Sequence, residues 1–355
     1  LSFFGSGYSN IPQFAPTGRA VYAVDMLTGE LVARWDLDDI ANQASVNDST
    51  LENTVPGGIA LVDTDIDPSS SGYGFVDRAY FGDLEGRVWK LDISNDATFD
   101  GTTGLVNNWP ECLVFDAGDP EQDGVRTWAP IVTTPAVALL RPSDDVVYRP
   151  TLYFGTGGDD ETDANLAYRF YAIRDDAADN ACAGTKAVDD LTLVDNEWFI
   201  EGDVNFRFWT DPVVVGNAVY FASLFGEIDS VNPCSNQSVD SSGVGSQVFG
   251  RAITRFNTGS AILQPGESVL VGAGGAENFF TTTTKIRNMP TSASTATNAV
   301  AVGAPSEPPA GERIYFQSFS DSSGDNPGVL TINAARQSLN PASVRIVRWR
   351  EIPVN

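Results

Sequence analysis

Short apolar runs dominate the chain, alternating with polar positions and ending at Gly, Asp, Asn or Pro. Residues 59–62, 78–82, 87–93, 151–155, 212–215, 218–222, 268–272, 313–318 and 344–349 read this way. They are rich in Val, Ile, Tyr and Phe, which suit a pleated surface packed against neighbours. A helical period is nearly absent; residues 38–45 and 333–339 each offer a turn or two. Many short strands with abundant Gly and Pro predict an all-β fold: a sandwich, a barrel or a propeller.

A longer period chooses among these. An apolar or aromatic pair runs into small residues five times: Phe3-Phe4-Gly5-Ser6-Gly7, Tyr80-Phe81-Gly82-Asp83, Tyr153-Phe154-Gly155-Thr156-Gly157, Tyr220-Phe221-Ala222-Ser223 and Tyr315-Phe316-Gln317-Ser318. The first four copies lie about 70 residues apart and the fifth farther on. Most are followed by a strand that closes on Asp: Tyr22-Ala23-Val24-Asp25, Trp89-Lys90-Leu91-Asp92, Tyr171-Ala172-Ile173-Arg174-Asp175 and Phe225-Gly226-Glu227-Ile228-Asp229. Sandwich strands recur roughly every 8–12 residues with no longer period. A four-stranded propeller blade takes about 40–50 residues plus its loops. One β-propeller over residues 1–355, with long inserted loops, is therefore predicted. Residues 281–311, which hold Thr281-Thr282-Thr283-Thr284, Pro305 and Pro308-Pro309, read as a long irregular surface loop within it.

Composition narrows the chemistry. With 355 residues, 42% of them hydrophobic, the chain can bury a large core. Its 47 acidic residues outweigh 21 basic ones, for a net charge of −26. Such a surface keeps a protein soluble and repels phosphate backbones and anionic lipid heads, so no nucleic-acid partner is expected. No run approaches the ~20 apolar residues of a membrane span, and no direct membrane insertion is expected. The chain has no histidine. That removes Ser-His-Asp and Cys-His catalysis, ordinary catalytic zinc and His-ligated haem. Of its three cysteines, Cys182 and Cys234 lie in polar loops. Loop cysteines in an acidic, lysine-poor chain suit an exported protein, where disulfides persist. A Cys182–Cys234 disulfide with Cys112 left over is the expected pairing, and spacing alone leaves three unrelated thiols open. The strand-like opening at Leu1 reads as a piece of something longer, exported by a segment outside it.

The sharpest chemical constellation is Asp63-Thr64-Asp65-Ile66-Asp67. Three carboxylates at alternate positions repel one another unless a cation or solvent separates them. Calcium takes six to eight oxygen ligands, and a D-x-D-x-D opening supplies three. The next acid is Asp77. The places where an EF-hand needs Gly and Glu hold Pro68 and Gly74, so the candidate is a β-loop calcium site, set against a solvated acidic turn. Gly157-Gly158-Asp159-Asp160-Glu161-Thr162-Asp163 is a second acidic turn with no ligand spacing and reads as surface. Asp25-Met26-Leu27-Thr28-Gly29 with Trp35 partly resembles the blade motif of quinoprotein dehydrogenases, but its Asp and Gly fit a hairpin turn. Gly272-Ala273-Gly274-Gly275 lacks the Lys-Ser/Thr of a phosphate cradle and reads as a bend.

Four stretches in order resemble the C-terminal propeller of the PilY family, the type IV pilus-associated adhesins. They are Phe4-Gly5-Ser6-Gly7-Tyr8-Ser9-Asn10 leading to Val21-Tyr22-Ala23-Val24-Asp25; the acidic loop followed by Val76-Asp77-Arg78-Ala79-Tyr80-Phe81-Gly82-Asp83-Leu84-Glu85-Gly86-Arg87-Val88-Trp89-Lys90-Leu91-Asp92; Pro130-Ile131-Val132-Thr133-Thr134-Pro135 with Tyr153-Phe154-Gly155-Thr156-Gly157; and Val347-Arg348-Trp349-Arg350-Glu351-Ile352. The second stretch is the most specific. The resemblance implies a modified seven-bladed propeller, extracellular and pilus-associated, that meets type IV pilins or minor pilins and its own N-terminal region. It also implies calcium at Asp63, Asp65, Asp67 and Asp77, with an effect on pilus extension and retraction. Here extra residues 68–75 separate Asp67 from Asp77, a departure from the compact family loop. The function expected is a non-enzymatic adhesin-type module. The alternatives are a quinone-cofactor dehydrogenase, for which the sequence offers no vicinal cysteine pair, and a filament-coating protein that pairs through its opening strand.

Overall fold

In the computed structural model the described residues are 1–7, 18–36, 54–118, 129–141, 148–157, 167–176, 185–191, 196–202, 206–208, 210–225, 245–257 and 262–269, with the backbone of 278–280, 284–289, 313–318, 329–333 and 344–346. The fold is all-β. The first sheet holds β1 (Ser2–Gly5), β2 (Ala20–Val24) and β3 (Leu31–Asp36) in that order. The second holds β4 (Ala60–Val62), β5 (Arg78–Gly82), β6 (Arg87–Asp92) and β7 (Glu111–Asp116). The third is built on β8 (Ala136–Leu140), β9 (Arg149–Gly155) and β10 (Arg169–Arg174). Next in the chain, β11 (Lys186–Ala187) leaves to pair with β7, and β12 (Trp198–Glu201) completes the third sheet beside β10. The fourth holds β13 (Val213–Val215), β14 (Ala218–Phe225) and β15 (Gly245–Ala252). A ribbon of β16 (Phe256–Asn257) and β17 (Ile262–Leu263) precedes its last strand, β18 (Asn278–Phe280). The fifth holds β19 (Thr284–Met289), β20 (Arg313–Ser318) and β21 (Val329–Asn333), and β22 (Val344–Ile346) pairs with β8.

In the first three copies the two repeated signatures are neighbouring antiparallel strands: Phe4 pairs with Tyr22, Phe81 with Trp89, and Phe154 with Tyr171. In the fourth, Phe225 of the expected second signature ends the same strand as Phe221, whose partner is Phe249 in β15. Pleating sends successive side chains to opposite faces. Tyr80 thus packs with Phe115, Phe154 and Tyr171, while Phe81 packs with Val21, Trp35 and Trp89. Tyr153 faces the fourth sheet among Phe170 and Phe221. An adjacent apolar pair, rather than simple alternation, marks a strand buried on both faces; every residue of β5 and β6 is buried. Fully burying each such aromatic contributes about 1.5–3 kcal/mol.

Consecutive sheets therefore stand face to face, the first on the second, the second on the third, and the third on the fourth. Their leading strands also approach one another in turn: β4 meets β8, β8 meets β13, and β13 meets β19. Successive antiparallel sheets packed this way are propeller blades. The predicted seventh blade cannot be counted from the five sheets of three or more strands among the described residues.

The small residue that ends each Tyr-Phe copy has a packing cause. A Cβ on Gly82 would overlap Ile131, and one on Gly155 would overlap Phe208. Both intruders come from the connection to the next sheet, where Ile131 N–H donates to Asp83 O and Phe208 N–H to Thr156 O, each at 2.9 Å. Val55 reaches Gly7 in the same manner, its carbonyl accepting at 3.3 Å. The connections lace each sheet to the one before it.

Two expectations change. Thr284–Met289, inside the stretch read as irregular, is a regular strand antiparallel to Arg313–Ser318. Its Ile286 and alternating polar neighbours form a strand pattern that the threonine run beside it obscured. Residues 290–311 lie outside the described residues. Cys112 is disulfide-bonded. With only two other cysteines in the chain, a Cys182–Cys234 bond that leaves Cys112 over does not hold. Cys112 was left over because the other two lie in polar loops, but β7, which carries it, is the outer strand of its four-strand meander and pairs with β11 at Phe115 and Asp116. Cys182 and Cys234 lie outside the described residues.

Candidate functional site

The acidic loop joins β4 to β5. Asp63 follows the last residue of β4 and Asp77 precedes Arg78, so both ends are fixed by the sheet; Asp77 N–H donates to Val62 O at 3.0 Å. Between them each aspartate caps the backbone two residues on, the local bond that Asp favours in turns. Asp63 Oδ1 accepts from Asp65 N–H at 3.0 Å, Asp65 Oδ1 from Asp67 N–H at 3.0 Å, and Asp67 Oδ1 from Ser69 N–H at 2.9 Å. Asp77 accepts from both the N–H and the hydroxyl of Thr64.

The loop's electrostatics follow from burial. Asp77 is largely shielded from water, and that desolvation raises its carboxyl above the usual range; the Asp63 charge adds to the rise, against the pull of Thr64 and Arg78. The exposed Asp67 moves the other way, because the Ser69 N–H and hydroxyl favour its ionised form.

These residues are of the type calcium prefers, hard oxygens close in sequence. Their arrangement is different. Among the described residues no group of three or more His, Cys, Asp or Glu stands where it could hold a metal ion. The residues inserted between Asp67 and Asp77 fold back over the aspartates: Gly74 N–H donates to Asp63 Oδ2 at 2.9 Å, and a Cβ on Gly72 would come within 3.0 Å of Asp65 Oδ2. The insertion thus supplies a backbone donor to Asp63. As folded, the carboxylates of the loop form a self-capped turn.

Behind the loop, β5 and β6 carry a buried polar seam. Asp83 is fully buried and accepts from Glu85 N–H, Arg87 N–H and the Trp89 indole at 2.9, 3.0 and 2.8 Å. Across the seam to the third sheet, Asp175 accepts from the Tyr80 hydroxyl at 2.8 Å and pairs with Lys90 at 3.0 Å. Burial, with the Asp175 charge beside it, pushes the Tyr80 phenol well above its ordinary range, so it serves as a donor. In the first sheet, Asp25 forms the expected hairpin turn, accepting from Leu27 and Thr28 N–H, with Gly29 at φ 73°. Trp35 nevertheless bridges sheets: it stacks on Phe3 at 6.2 Å and on Trp109 at 6.3 Å, and donates to Trp109 O at 2.9 Å. The bonds of Asp83 and Asp175 were missed by sequence reasoning, although Asp175 ends a repeated strand signature and Asp83 lies three positions before Gly86 and six before Trp89. Trp35 belongs to the partial blade motif that the sequence reading sets aside for the hairpin turn. Asp159 to Asp163 and Gly272 to Gly275 lie outside the described residues.

No protein-family model matches the chain. Over 94 residues it is 31% identical to a protein described as "Type IV pilus biogenesis factor PilY1 homolog" from Xylella fastidiosa, a match covering 26% of this chain and 6% of that one. Among solved structures, the C-terminal domain of Pseudomonas aeruginosa PilY1 aligns with a TM-score of 0.44 and 14% identity, over 66% of this chain and 52% of that domain. The chain spans only a small part of its curated relative. The similarity in sequence is to a PilY1-type protein, the same family that the residues themselves resemble.

Proposed function

We propose that this chain is a non-enzymatic, pilus-associated propeller module displayed at the cell surface, which works by holding other proteins. The observation that carries the reading is the sequence similarity to a type IV pilus biogenesis factor, met by a chain whose repeats build propeller blades. Its partners are type IV pilins or minor pilins together with the N-terminal region of the longer protein. The lack of histidine, which removes several catalytic routes, agrees with a binding role. Calcium belongs to this proposal only through a rearranged loop. Asp63, Asp65, Asp67 and Asp77 would have to exchange their N–H and hydroxyl donors for the ion.

Calcium titration of the chain tests that part. A cation that binds only the folded form raises the melting temperature by linkage, by about 2.7 kcal/mol of stability at a hundredfold excess over Kd. The rise is expected in the wild type and absent from Asp65→Ala; no rise at millimolar calcium removes calcium from the proposal. A second reading, a filament-coating protein, draws on β1, which pairs with β2 alone and keeps one edge open among the described residues. Pull-down with pilin subunits separates the two.

A further inference from the structure

The exposed large apolar side chains are concentrated at one end of the first two sheets. Leu27 is 89% exposed, Phe75 70%, Met26 64% and Phe99 59%, with Tyr73 and Ile66 beside them. They sit on three connections that the meander brings to the same end. One is the β2–β3 turn, one is the β4–β5 loop and one is the β6–β7 loop. These connections touch. Val106 N–H donates to Val32 O and Ile93 N–H to Asp77 O, each at 2.9 Å, and Trp109 lies on Trp35. The result is one laced rim across two blades.

The rim also has a single sign of charge. Residues 25–30, 63–77 and 93–111 contain no Lys or Arg, and they hold Asp25, Glu30, Asp67, Asp96, Asp100 and Glu111 besides Asp63, Asp65 and Asp77. Turn N–H groups also hold the Asp25 and Asp100 carboxyls below the usual range. Exposed apolar side chains ringed by fixed negative charge mark a docking surface, and the charge selects the occupant. A second copy through the same face would set like charge on like charge. An anionic bilayer would be repelled for the same reason.

We propose that this rim docks a cationic, apolar segment of another protein, in which Lys or Arg flank side chains that cover Leu27, Phe75 and Phe99. The proposal needs neither calcium nor the pilus reading. The test is anisotropy of labelled synthetic peptides with the whole chain at roughly 0.3 M salt, where distant charge is screened. An alternating Lys-Leu peptide is expected to bind at least about tenfold more tightly than Lys-Ser of equal charge. Leu27→Ser/Phe75→Ser/Phe99→Ser is expected to lose that difference with an unchanged melting temperature, and Leu27→Ser alone to lose part of it. Phe4→Ser/Ile262→Ser, which alters exposed apolar residues elsewhere, should keep it. Equal binding of the two peptides, or a triple variant that binds like the wild type, overturns the proposal. So does wild-type self-association, or binding to phosphatidylglycerol vesicles, that the triple variant loses.

Discussion

At the scale of single residues, the clearest dependence is on Asp83. Its carboxylate satisfies the buried Arg87 N–H and Trp89 indole and the part-buried Glu85 N–H at once. Each buried donor left unpaired costs about 1–3 kcal/mol. Asp83→Ala is therefore expected to destabilise the chain by at least about 2 kcal/mol in urea unfolding, and a loss under about 1 kcal/mol would contradict the cap. The aspartates of the β4–β5 loop make a second prediction, about protons. Asp77 has a raised carboxyl pKa, so the folded state keeps its proton to higher pH than the unfolded chain does. Its contribution to stability falls as pH rises from the ordinary carboxylate value through its raised one. Asp67 is lowered, so its contribution is present above the ordinary value and is lost as pH falls through its lowered one. Carbon-13 titration of the side-chain carboxyls should find the Asp77 midpoint above that of Asp67; the reverse order would contradict this loop geometry.

At the scale of elements, the strands were legible because their signal is local. A Tyr-Phe pair buried on two faces, followed by a strand that ends on Asp, falls within one hairpin. The connections were not legible. Val55, Ile131 and Phe208 come from connections between the sheets, and each meets a partner tens of residues away. Only the repeated Gly recorded their presence, as a missing Cβ. The Tyr80–Asp175 bond was hidden in the same way, since its partners lie 95 residues apart. The acidic loop was half legible: its cap-forming aspartates were visible, but not that the insertion would supply the donors. The disulfide follows the same logic, because sequence ranks cysteines by loop character whereas pairing depends on which strands adjoin. Peptide mapping of a non-reduced digest is expected to recover Cys112 only in a cross-linked peptide. A free Cys112 beside a Cys182–Cys234 link would reverse that correction.

At the scale of the whole molecule, the blades make a rigid support on which their connections vary. Aromatic contacts carry the packing from sheet to sheet, as in Phe115 on Phe154 at 5.8 Å and Phe170 on Phe221 at 3.5 Å. Its excess of acid is uneven in effect: buried acids such as Asp83 and Asp175 organise the sheets, while those on the rim stay ionised and set the sign of any partner. A fold alone does not fix a function, and the similarity to a pilus biogenesis factor says where to look for partners. The most direct measurement is surface plasmon resonance of the immobilised chain against purified major and minor type IV pilins of its own source. Saturable binding to at least one of them is the expected result. A folded chain, verified by its melting transition, that binds none of them would contradict the pilus-associated role.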